Sequence, residues 1–475
     1  MKTVNAFSTF LLIIFFSFTA SAQSRQQQKN DSVFVLVKKY FNERQAESIY
    51  TLAGAQFQKE INPETFKNVA DRQLFPLGPI RESSLISFLN NKLSTYKLTF
   101  DSGMMQLLMT LDQDDKLELF LFKPYKEEAP EKLKPAATSN LMRTLTDKKV
   151  DSVARTYIQK SNTVGLSIGI VKGGITRTYN YGETAAGNNK LPDANNLFEI
   201  GSITKTFTAT LLAYYVNEGK IKLTDPITKY LPDSVAANKE LQSVTLVTLS
   251  NHTSGLPRLP DNFENHSSDP LNPYKDYGKQ YLFEYLKGCK LISKPGETYA
   301  YSNLSVGLLG TILEKISGKT FEQMVEEIIC TPLGMKSTTQ HLSPALKQRM
   351  VTVYNEDGKA TSLWDFAALA PCGALRSTLN DMLIYAKANI TNGNTKLEKA
   401  FELTHRITFD KDAKLGLGWH IIMVNGVEYI FHNGGTYGSN SFLAFNPEKN
   451  IAVIVLSNSG LSVDAVGTDI LKKIQ

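Results

Sequence analysis

The chain has few cysteines and little excess charge, and both features exclude classes of protein. Only three of its 475 residues are cysteine (Cys289, Cys330 and Cys372). None belongs to a C-x-x-C pair, which excludes a disulfide scaffold and a cysteine-based zinc site. The formal net charge is +6, from 52 basic and 46 acidic residues. So small a surplus over this length gives no reason to expect a nucleic-acid partner.

Several signatures of metal and cofactor chemistry are also missing. The six histidines form neither an H-E-x-x-H motif nor a pair four residues apart, so no metal site is predicted. The sequence has no P-loop, no G-x-G-x-x-G after a predicted strand and no G-x-S-x-G elbow. We therefore expect no cofactor, and we expect any serine nucleophile to lie outside an α/β-hydrolase turn.

Long apolar runs are lacking after the first 22 residues. Lys2 precedes an apolar run from Phe10 to Phe18, and Ala20-Ser21-Ala22 follows as a small-x-small cleavage pattern. The run is shorter than the roughly 20 apolar residues that a transmembrane helix needs. Residues 1–22 are therefore predicted to be a signal peptide. The mature chain is expected to be exported, to the periplasm or the extracellular space, without a membrane span.

A small α+β module is predicted at residues 31–125. Helical periodicity begins near Asp31, a second helix is expected from Ala46 to Phe57, and Asn62-Pro63 marks a third helix start. Three strands are predicted after them, at Tyr96–Phe100, Met105–Leu111 and Leu117–Phe122. This order resembles the small cystatin-like or cone-shaped domains that precede serine hydrolases in some bacterial proteins. The role of the module is not indicated.

A linker and one larger domain are predicted to follow. Residues 126–138 are rich in Lys, Glu, Pro and Ala, with Pro130 and Pro135, which favours a semi-extended linker. Residues 141–475 contain no internal repeat and have the size of a single enzyme domain. The predicted fold class is thus a multidomain α+β protein.

The strongest chemical signal lies between Phe198 and Ala209, where Gly201 precedes Ser202 and Lys205 follows three residues later. The mainly small or apolar residues after Lys205 predict a helix buried nearly all round, with Ser202 in its first turn. There the helix dipole favours developing negative charge, and Lys205 lies on the same face as the serine hydroxyl. A buried amine loses its charge readily and can serve as a base. A capping serine beside an unrelated surface lysine is the alternative.

Tyr301 and Asn303 form a second signal, immediately before another apolar helix. A tyrosine can hold or relay a proton when a nearby cation lowers its pKa. The Asn303 amide can bind a substrate carbonyl and also the lysine. The alternative is a core tyrosine followed by a helix cap.

The third signal is the segment His432-Asn433-Gly434-Gly435, which follows a strand and an Asn425-Gly426 hairpin turn. Glycine beside a strand lets a backbone N–H approach a ligand closely. The Gly435 amide can therefore bind an oxyanion together with the Ser202 amide. His432 can orient the substrate or the leaving group. A buried sheet histidine without a functional role is the alternative.

In this order the three segments resemble the motifs of the serine β-lactamase and penicillin-binding-protein superfamily, especially the branch with class C β-lactamases, D-peptidases and related esterases. Ser202 and Lys205 match the S-x-x-K box, Tyr301-Ser302-Asn303 matches the Y-x-N box, and His432-Asn433-Gly434 occupies the place of the K-T-G box. The resemblance covers about Thr144 to Gln475. It implies an antiparallel five-stranded sheet flanked by helices, with an all-helical lobe and the site between sheet and lobe. It also implies that an amino-terminal hairpin joins the carboxy-terminal strands.

The resemblance further implies a secreted serine hydrolase that acts through an acyl-enzyme. The implied catalytic residues are Ser202, Lys205 and Tyr301, and those implied to bind substrate or oxyanion are Asn303, His432, Asn433, Gly434 and Gly435. Because His432 is mostly neutral near pH 7, where the family has a fixed cation, we expect an ester, amide or D-amino-acid peptide bond rather than a β-lactam. Small molecules or peptides, including cell-wall-derived ones, are the expected substrates. A class C-type β-lactamase and a non-catalytic binding or sensing protein of the same fold are the alternatives.

Overall fold

The structure is a computed structural model that describes residues 25–89, 92–125, 127, 130–391 and 393–475. It divides into two compact units, with the boundary between residues 128 and 129. The predicted signal peptide, residues 1–22, lies outside the described residues. Within the described part of the chain, no helix has the length and apolar character needed to cross a membrane.

The first unit packs helices against an antiparallel sheet whose four strands are joined in sequence order. Val37, Leu98 and Leu107 are fully buried in its core. Its helices are α1 (Arg25–Asn42), α2 (Ala46–Tyr50), α3 (Ala55–Glu60) and α4 (Pro63–Val69), the last continued by a π turn (Ala70–Leu74) and a 3-10 turn (Phe75–Leu77). Its strands are β1 (Glu82–Leu89), β2 (Leu93–Phe100), β3 (Gly103–Leu111) and β4 (Leu117–Pro124).

Three features of this unit differ from the sequence prediction. Helix α1 begins at Arg25, before the expected start near Asp31, because its first turns are polar and carry no apolar periodicity. Strand β1 was not predicted, because it is an edge strand with an irregularity between Leu85 and Ser87 that interrupts the two-residue alternation. The helix expected from Ala46 to Phe57 is divided into α2 and α3, since the chain leaves helical geometry before Gly54, the residue that precedes α3. The predicted helix start at Pro63 is found, and the Asn62 side chain caps it by accepting the Thr65 amide at 2.8 Å.

An eight-stranded antiparallel sheet organises the second unit, with strand order β6-β5-β14-β13-β12-β11-β10-β9. A separate two-stranded sheet pairs β7 with β8. The strands are β5 (Gly165–Lys172), β6 (Ile175–Gly182), β7 (Leu197–Glu199), β8 (Arg376–Thr378), β9 (Phe409–Asp410), β10 (Lys414–Leu415), β11 (His420–Val424), β12 (Val427–Gly435), β13 (Asn440–Asn446) and β14 (Ile451–Ser457).

The sheet joins the two ends of this unit. Strands β5 and β6 form the expected hairpin, and β5 pairs with β14 along its length, from Ile451 opposite Lys172 to Ser457 opposite Leu166. The fold class is confirmed, but the sheet has eight strands where the resemblance implies five. The three extra strands are β9, β10 and β11, which continue the sheet beyond β12 because the Asn425-Gly426 turn folds β11 back onto β12.

Helices cover both faces of this sheet. Val453 and Val455 belong to the core that includes α5 and α16, whereas Ile454 faces the larger core of the helical lobe. The helices are α5 (Leu145–Ile158), α6 (Thr204–Asn217), α7 (Asp233–Ala236), α8 (Leu246–Ser250), α9 (Lys279–Gly288), α10 (Asn303–Ser317), α11 (Phe321–Met324), α12 (Thr331–Leu333), α13 (Pro344–Lys347), α14 (Leu379–Ile390), α15 (Lys396–His405) and α16 (Asp464–Ile474).

The segment predicted as a linker runs along the second unit over its described residues 130–138. The Ser161 amide donates to the Pro130 carbonyl at 2.7 Å, and the Gly182 amide donates to the Ala137 carbonyl at 2.8 Å. Thr138 forms a bridge with Tyr181 at the edge of β6. Hydrogen bonds therefore attach this extended segment to the domain that follows it.

Close packing of α10 against a 3-10 turn (Ala370–Cys372) provides a test of this core. A Cβ added at Gly310 would lie 2.0 Å from Cγ of Pro371, so Gly310→Ala forces the two elements apart. We expect it to lower the free energy of unfolding by about 1–3 kcal/mol. Gly288→Ala, at the end of α9, is the matched control because the added methyl would meet no atom within 4 Å.

Chemical denaturation followed by tryptophan fluorescence measures this effect. Both tryptophans, Trp364 and Trp419, lie in the second unit, so the signal reports on that unit alone. Equal midpoints for Gly310→Ala and Gly288→Ala would contradict the packing described.

Candidate active site

Ser202 lies in a 3-10 turn, Gly201–Ile203, that leads directly into α6. Gly201 has a φ of 48°, in the left-handed region that favours glycine. A Cβ at this position would lie 2.7 Å from the amide nitrogen of Gly435. Glycine is therefore needed for the Ser202 turn to approach the end of β12 this closely.

Gly434 makes the matching approach from the sheet. A Cβ there would lie 2.0 Å from the Ile200 carbonyl oxygen and 2.9 Å from the Ser202 amide nitrogen. The two glycines together bring the Gly435 amide alongside the Ser202 turn. An oxyanion hole formed by the Ser202 and Gly435 amides requires this proximity.

Lys205 is the buried lysine of the site. It extends from the first turn of α6, is 1% exposed, and donates hydrogen bonds to Ser202 Oγ at 2.9 Å and to the Cys372 carbonyl at 2.6 Å. Its Nζ also lies 4.8 Å from the centre of the Tyr301 ring. Nearly all of α6 around it is buried, which agrees with the burial expected from the sequence.

Tyr301 and Asn303 stand at the start of α10. Ser302 caps this helix, since its hydroxyl accepts the Ser305 amide at 3.0 Å. The Asn303 side chain donates to the Tyr274 hydroxyl at 3.1 Å. Among the described residues its Oδ1 has no hydrogen-bond partner, although the atom is buried. A carbonyl oxygen left in this state is available to accept a hydrogen bond from a substrate amide.

His432 belongs to a group of three histidines beside Tyr301, the other two being His252 and His420. The His252 ring lies 4.4 Å from the Tyr301 ring, and the His420 and His432 rings are 5.4 Å apart. His252 Nδ1 accepts the Ser302 amide at 3.2 Å, and His420 Nε2 is 2.9 Å from the Tyr299 hydroxyl. The three rings therefore form one wall next to the Tyr301 ring.

The electrostatics of the site favour neutral imidazoles. Burial lowers the pKa of His432 well below its usual range, and His420 and Lys205 act in the same direction. Burial, then Lys205, lowers the pKa of His252 in the same way. Burial, with Lys205, also lowers the pKa of His420 to about 4. The third box therefore supplies no positive charge at neutral pH.

The structure does not bring the Asn433 side chain to the site, although Asn433 was predicted to bind substrate or oxyanion. Its Nδ2 donates to Asp464 at the start of α16, at 2.8 Å. Successive strand residues point to opposite faces, so Asn433 faces α16 while His432 and Gly434 face Ser202. The Asn433 side chain attaches this end of β12 to α16, on the face of the sheet opposite Ser202.

A buried acidic residue holds the end of β12 next to β7. Glu199 accepts a hydrogen bond from the Thr436 hydroxyl at 2.6 Å and one from the Trp364 amide at 2.7 Å. Burial raises the pKa of this carboxyl, and Arg376, 3.8 Å away, opposes the rise. Thr436 directly follows Gly435, so this contact fixes the end of β12 beside the Ser202 turn.

Several residues of the site were missed by sequence reasoning. His420 could have been found by counting back from the Asn425-Gly426 turn, because the hairpin register pairs it with Phe431, the neighbour of His432. The Cys372 carbonyl could not have been found from the sequence, since every residue type carries a main-chain carbonyl. His252 could not be found either, because the sequence around it carries no pattern of catalytic or ligand-binding residues.

A serine at the start of a helix, a buried lysine bonded to it, a neighbouring tyrosine and a glycine-rich strand are the arrangement expected of a serine hydrolase of the β-lactamase type. Residues 150–473 match the family model described as Beta-lactamase. The chain belongs to this family, whose members are serine hydrolases.

Similar proteins agree with this assignment. The D-alanyl-D-alanine-carboxypeptidase/endopeptidase AmpH of Escherichia coli (strain K12) is 32% identical over 331 residues, which cover 66% of this chain and 84% of AmpH. A β-lactamase of Pseudomonas fluorescens is 27% identical over 343 residues, 65% of this chain and 92% of that protein. A solved class C β-lactamase has a TM-score of 0.63 at 25% identity, and the match covers 71% of this chain and 98% of that structure's chain.

The neutral histidines give the stability of the second unit a pH dependence. The folded-state pKa of His420 is about 4, below the usual histidine value of 6.5, so the unfolded chain binds the proton more tightly. The contribution of this histidine is therefore fully present above about pH 6.5 and decreases as the pH falls toward 4. We expect His420→Gln to make the loss of stability over this interval shallower, by on the order of 2 kcal/mol.

Denaturation midpoints measured from pH 7 to pH 4 by tryptophan fluorescence check this expectation. Glutamine keeps a hydrogen-bonding group for Tyr299, so the variant tests titration rather than contact. A parallel pH profile for the parent and His420→Gln would show that the imidazole is not held neutral.

Proposed function

We propose that the second unit hydrolyses an ester, an amide or a D-amino-acid peptide bond through an acyl-enzyme on Ser202. The observation that carries the proposal is the buried Lys205, whose Nζ donates to Ser202 Oγ at 2.9 Å. Burial of a lysine that is only 1% exposed, in a mainly apolar helix, costs free energy unless hydrogen-bond acceptors replace the lost water. Tyr301 beside it adds a second group able to carry a proton.

The proposed reaction has two halves. One member of the Lys205 and Tyr301 pair starts the reaction in its deprotonated form. Ser202 Oγ attacks the carbonyl carbon and gives its proton to that member, while the amides of Ser202 and Gly435 bind the oxyanion. The bond to the leaving group then breaks, and the pair returns the proton to that group. Water, deprotonated by the same pair, attacks the ester on Ser202 and releases the acyl product. Either Lys205 or Tyr301 can serve as the first base in this scheme.

The surroundings of the reacting groups support small-molecule or peptide substrates. The buried Asn303 Oδ1 offers an acceptor to a substrate amide, and His432 borders the Tyr301 side of the site. AmpH, a relative at 32% identity, carries a name that specifies peptide cleavage at D-alanine. We infer from these points that cell-wall-derived peptides belong among the substrates, and that the mature protein works after export to the periplasm or beyond.

A β-lactamase activity is the second candidate, because relatives such as that of Pseudomonas fluorescens carry this name. The neutral His432 disfavours it, since no charge is fixed there for a β-lactam carboxylate. Comparing nitrocefin with p-nitrophenyl esters and D-peptides distinguishes the two. Turnover of nitrocefin well above ester turnover would favour the β-lactamase.

Loss of the nucleophile is the direct test of the chemistry. We expect Ser202→Ala to reduce kcat for a p-nitrophenyl ester by about a thousandfold or more, because no acyl-enzyme can form. Ser152→Ala, at an exposed serine of α5, is the matched control and should retain parental turnover. Covalent labelling with a fluorescent penicillin or a fluorophosphonate gives a second readout. Ester turnover by Ser202→Ala at the parental rate would rule out this mechanism, and no labelling by any acylating probe would favour a binding protein.

Proton handling by Tyr301 is tested by a pair of variants. Tyr301→Phe keeps the ring beside Lys205 and removes the hydroxyl, so kcat is expected to fall about 10²–10⁴-fold. Tyr299→Phe is the matched control. Tyr299 lies two residues before Tyr301 in the sequence, and this change removes the hydroxyl that contacts His420. It should cost far less than Tyr301→Phe in steady-state assays on the same ester. Equal losses in the two variants would mean that the Tyr301 hydroxyl has only a packing role.

A further inference from the structure

His252 is a buried histidine that holds both neighbours of Tyr301. It lies in the loop after α8 and is 2% exposed. Its carbonyl oxygen accepts the Ala300 amide at 2.8 Å, and its ring nitrogen Nδ1 accepts the Ser302 amide at 3.2 Å. One residue therefore fixes the main chain immediately before and immediately after Tyr301.

The Tyr301 side chain has few other constraints. No hydrogen bond from another described residue holds its hydroxyl. The His252 ring lies 4.4 Å from its ring, and two basic groups, Lys205 Nζ and Arg258 Cζ, lie 4.8 and 5.2 Å from the ring centre. The place of the phenol beside Lys205 therefore depends on ring packing and on the main chain that His252 holds.

The His252 backbone has a conformation that few side-chain-bearing residues adopt. Its φ is 61°, in the left-handed region, where residues other than glycine are uncommon. The Thr253 carbonyl accepts the Gly296 amide at 2.7 Å, which anchors the loop. The Ser254 hydroxyl lies 2.7 Å from that of Ser305 on α10. A backbone of this kind persists only where surrounding contacts fix it, and such residues cluster at functional sites.

Only the neutral form of His252 can accept the Ser302 amide. Nδ1 uses its lone pair for this hydrogen bond, so the ring proton lies on Nε2. A second proton, on Nδ1, would face the amide N–H and break the hydrogen bond. Burial lowers the pKa of His252 well below its usual range, and Lys205 acts in the same direction, so the accepting form is present at neutral pH.

We propose that His252 is a positioning residue, whose Nδ1 sets the place of the Tyr301 hydroxyl relative to Lys205 and Ser202. The inference rests on the proposed function, in which the Lys205 and Tyr301 pair carries the proton. His252 acts through Tyr301 rather than on the substrate itself. Because proton transfer needs hydrogen-bond distances, a displacement of the phenol by about 1 Å lowers the rate by about 10²-fold. His252 is therefore expected to affect kcat far more than KM.

Two substitutions at His252 separate the hydrogen-bond acceptor from the bulk of the side chain. Asparagine carries Oδ1 in the position of Nδ1 and tolerates a positive φ, so His252→Asn is expected to keep kcat for a p-nitrophenyl ester within about threefold of the parent. His252→Leu leaves the Ser302 amide without an acceptor. Its kcat is expected to fall about 10- to 100-fold, with KM changed by less than about threefold. If His252→Leu does not fold, His252→Gly takes its place, because glycine adopts the backbone without strain and also lacks the acceptor.

A double-mutant cycle with Tyr301→Phe tests whether the effect passes through the Tyr301 hydroxyl. In the Tyr301→Phe background, His252→Leu should lower kcat by no more than about twofold, because the group that His252 positions is already absent. A merely structural role would give the same fold loss in both backgrounds. The matched control is His405→Leu, which removes a histidine that lies 3.0 Å from Asn389 Oδ1 instead of holding the Tyr301 segment. This control should keep kcat within about twofold of the parent.

Three outcomes would overturn the assignment: parental kcat in folded His252→Leu, an equal loss in His252→Asn and His252→Leu, or equal fold losses in the parental and Tyr301→Phe backgrounds. Ser202→Ala, measured alongside, tests the proposed function separately. If Ser202→Ala still turns over the ester at the parental rate, the proposed function fails. If turnover requires Ser202 but the losses in the cycle are independent, only the role of His252 is overturned.

Discussion

One buried lysine side chain organises the active site. Lys205 is nearly inaccessible to solvent, so its Nζ is stable there only where acceptors replace water. Ser202 Oγ and the Cys372 carbonyl provide them. Each acceptor comes from a different part of the chain, the first from the turn before α6 and the second from the turn that packs on α10. The hydrogen bonds of one side chain thus link Ser202, helix α6 and the turn that packs on α10.

The sheet completes the site by close approach of its backbone. Gly201 and Gly434 lack the Cβ atoms that would collide with Gly435 and Ile200, so the end of β12 can lie against the Ser202 turn. The buried Glu199 then holds the following residue, Thr436. Main-chain contacts and one buried carboxylate therefore position the Ser202 turn and the Gly435 amide relative to each other.

Much of this arrangement could be predicted from the sequence, because its signals are local. A buried helix after Ser202 and a two-residue hairpin turn at Asn425-Gly426 are patterns of neighbouring residues, and both are found. The full sheet was underestimated, since β9 and β10 are only two residues long and have no periodicity. Contacts between distant segments were missed because no pattern of neighbouring residues predicts them. The packing of Arg258 on Tyr301 depends on tertiary structure, and the side of the sheet that Asn433 faces depends on strand register.

Activation of Ser202 by Lys205 can be measured through the rate and the site of covalent labelling. Parent protein and Lys205→Met, in which an apolar side chain of similar length replaces the amine, would be labelled with a fluorophosphonate and the adduct mapped by peptide mass spectrometry. Activation of Ser202 by Lys205 predicts a single adduct on the peptide that contains Ser202, formed at least about 100-fold more slowly in folded Lys205→Met. Labelling of a different residue, or equal rates in the two proteins, would contradict it.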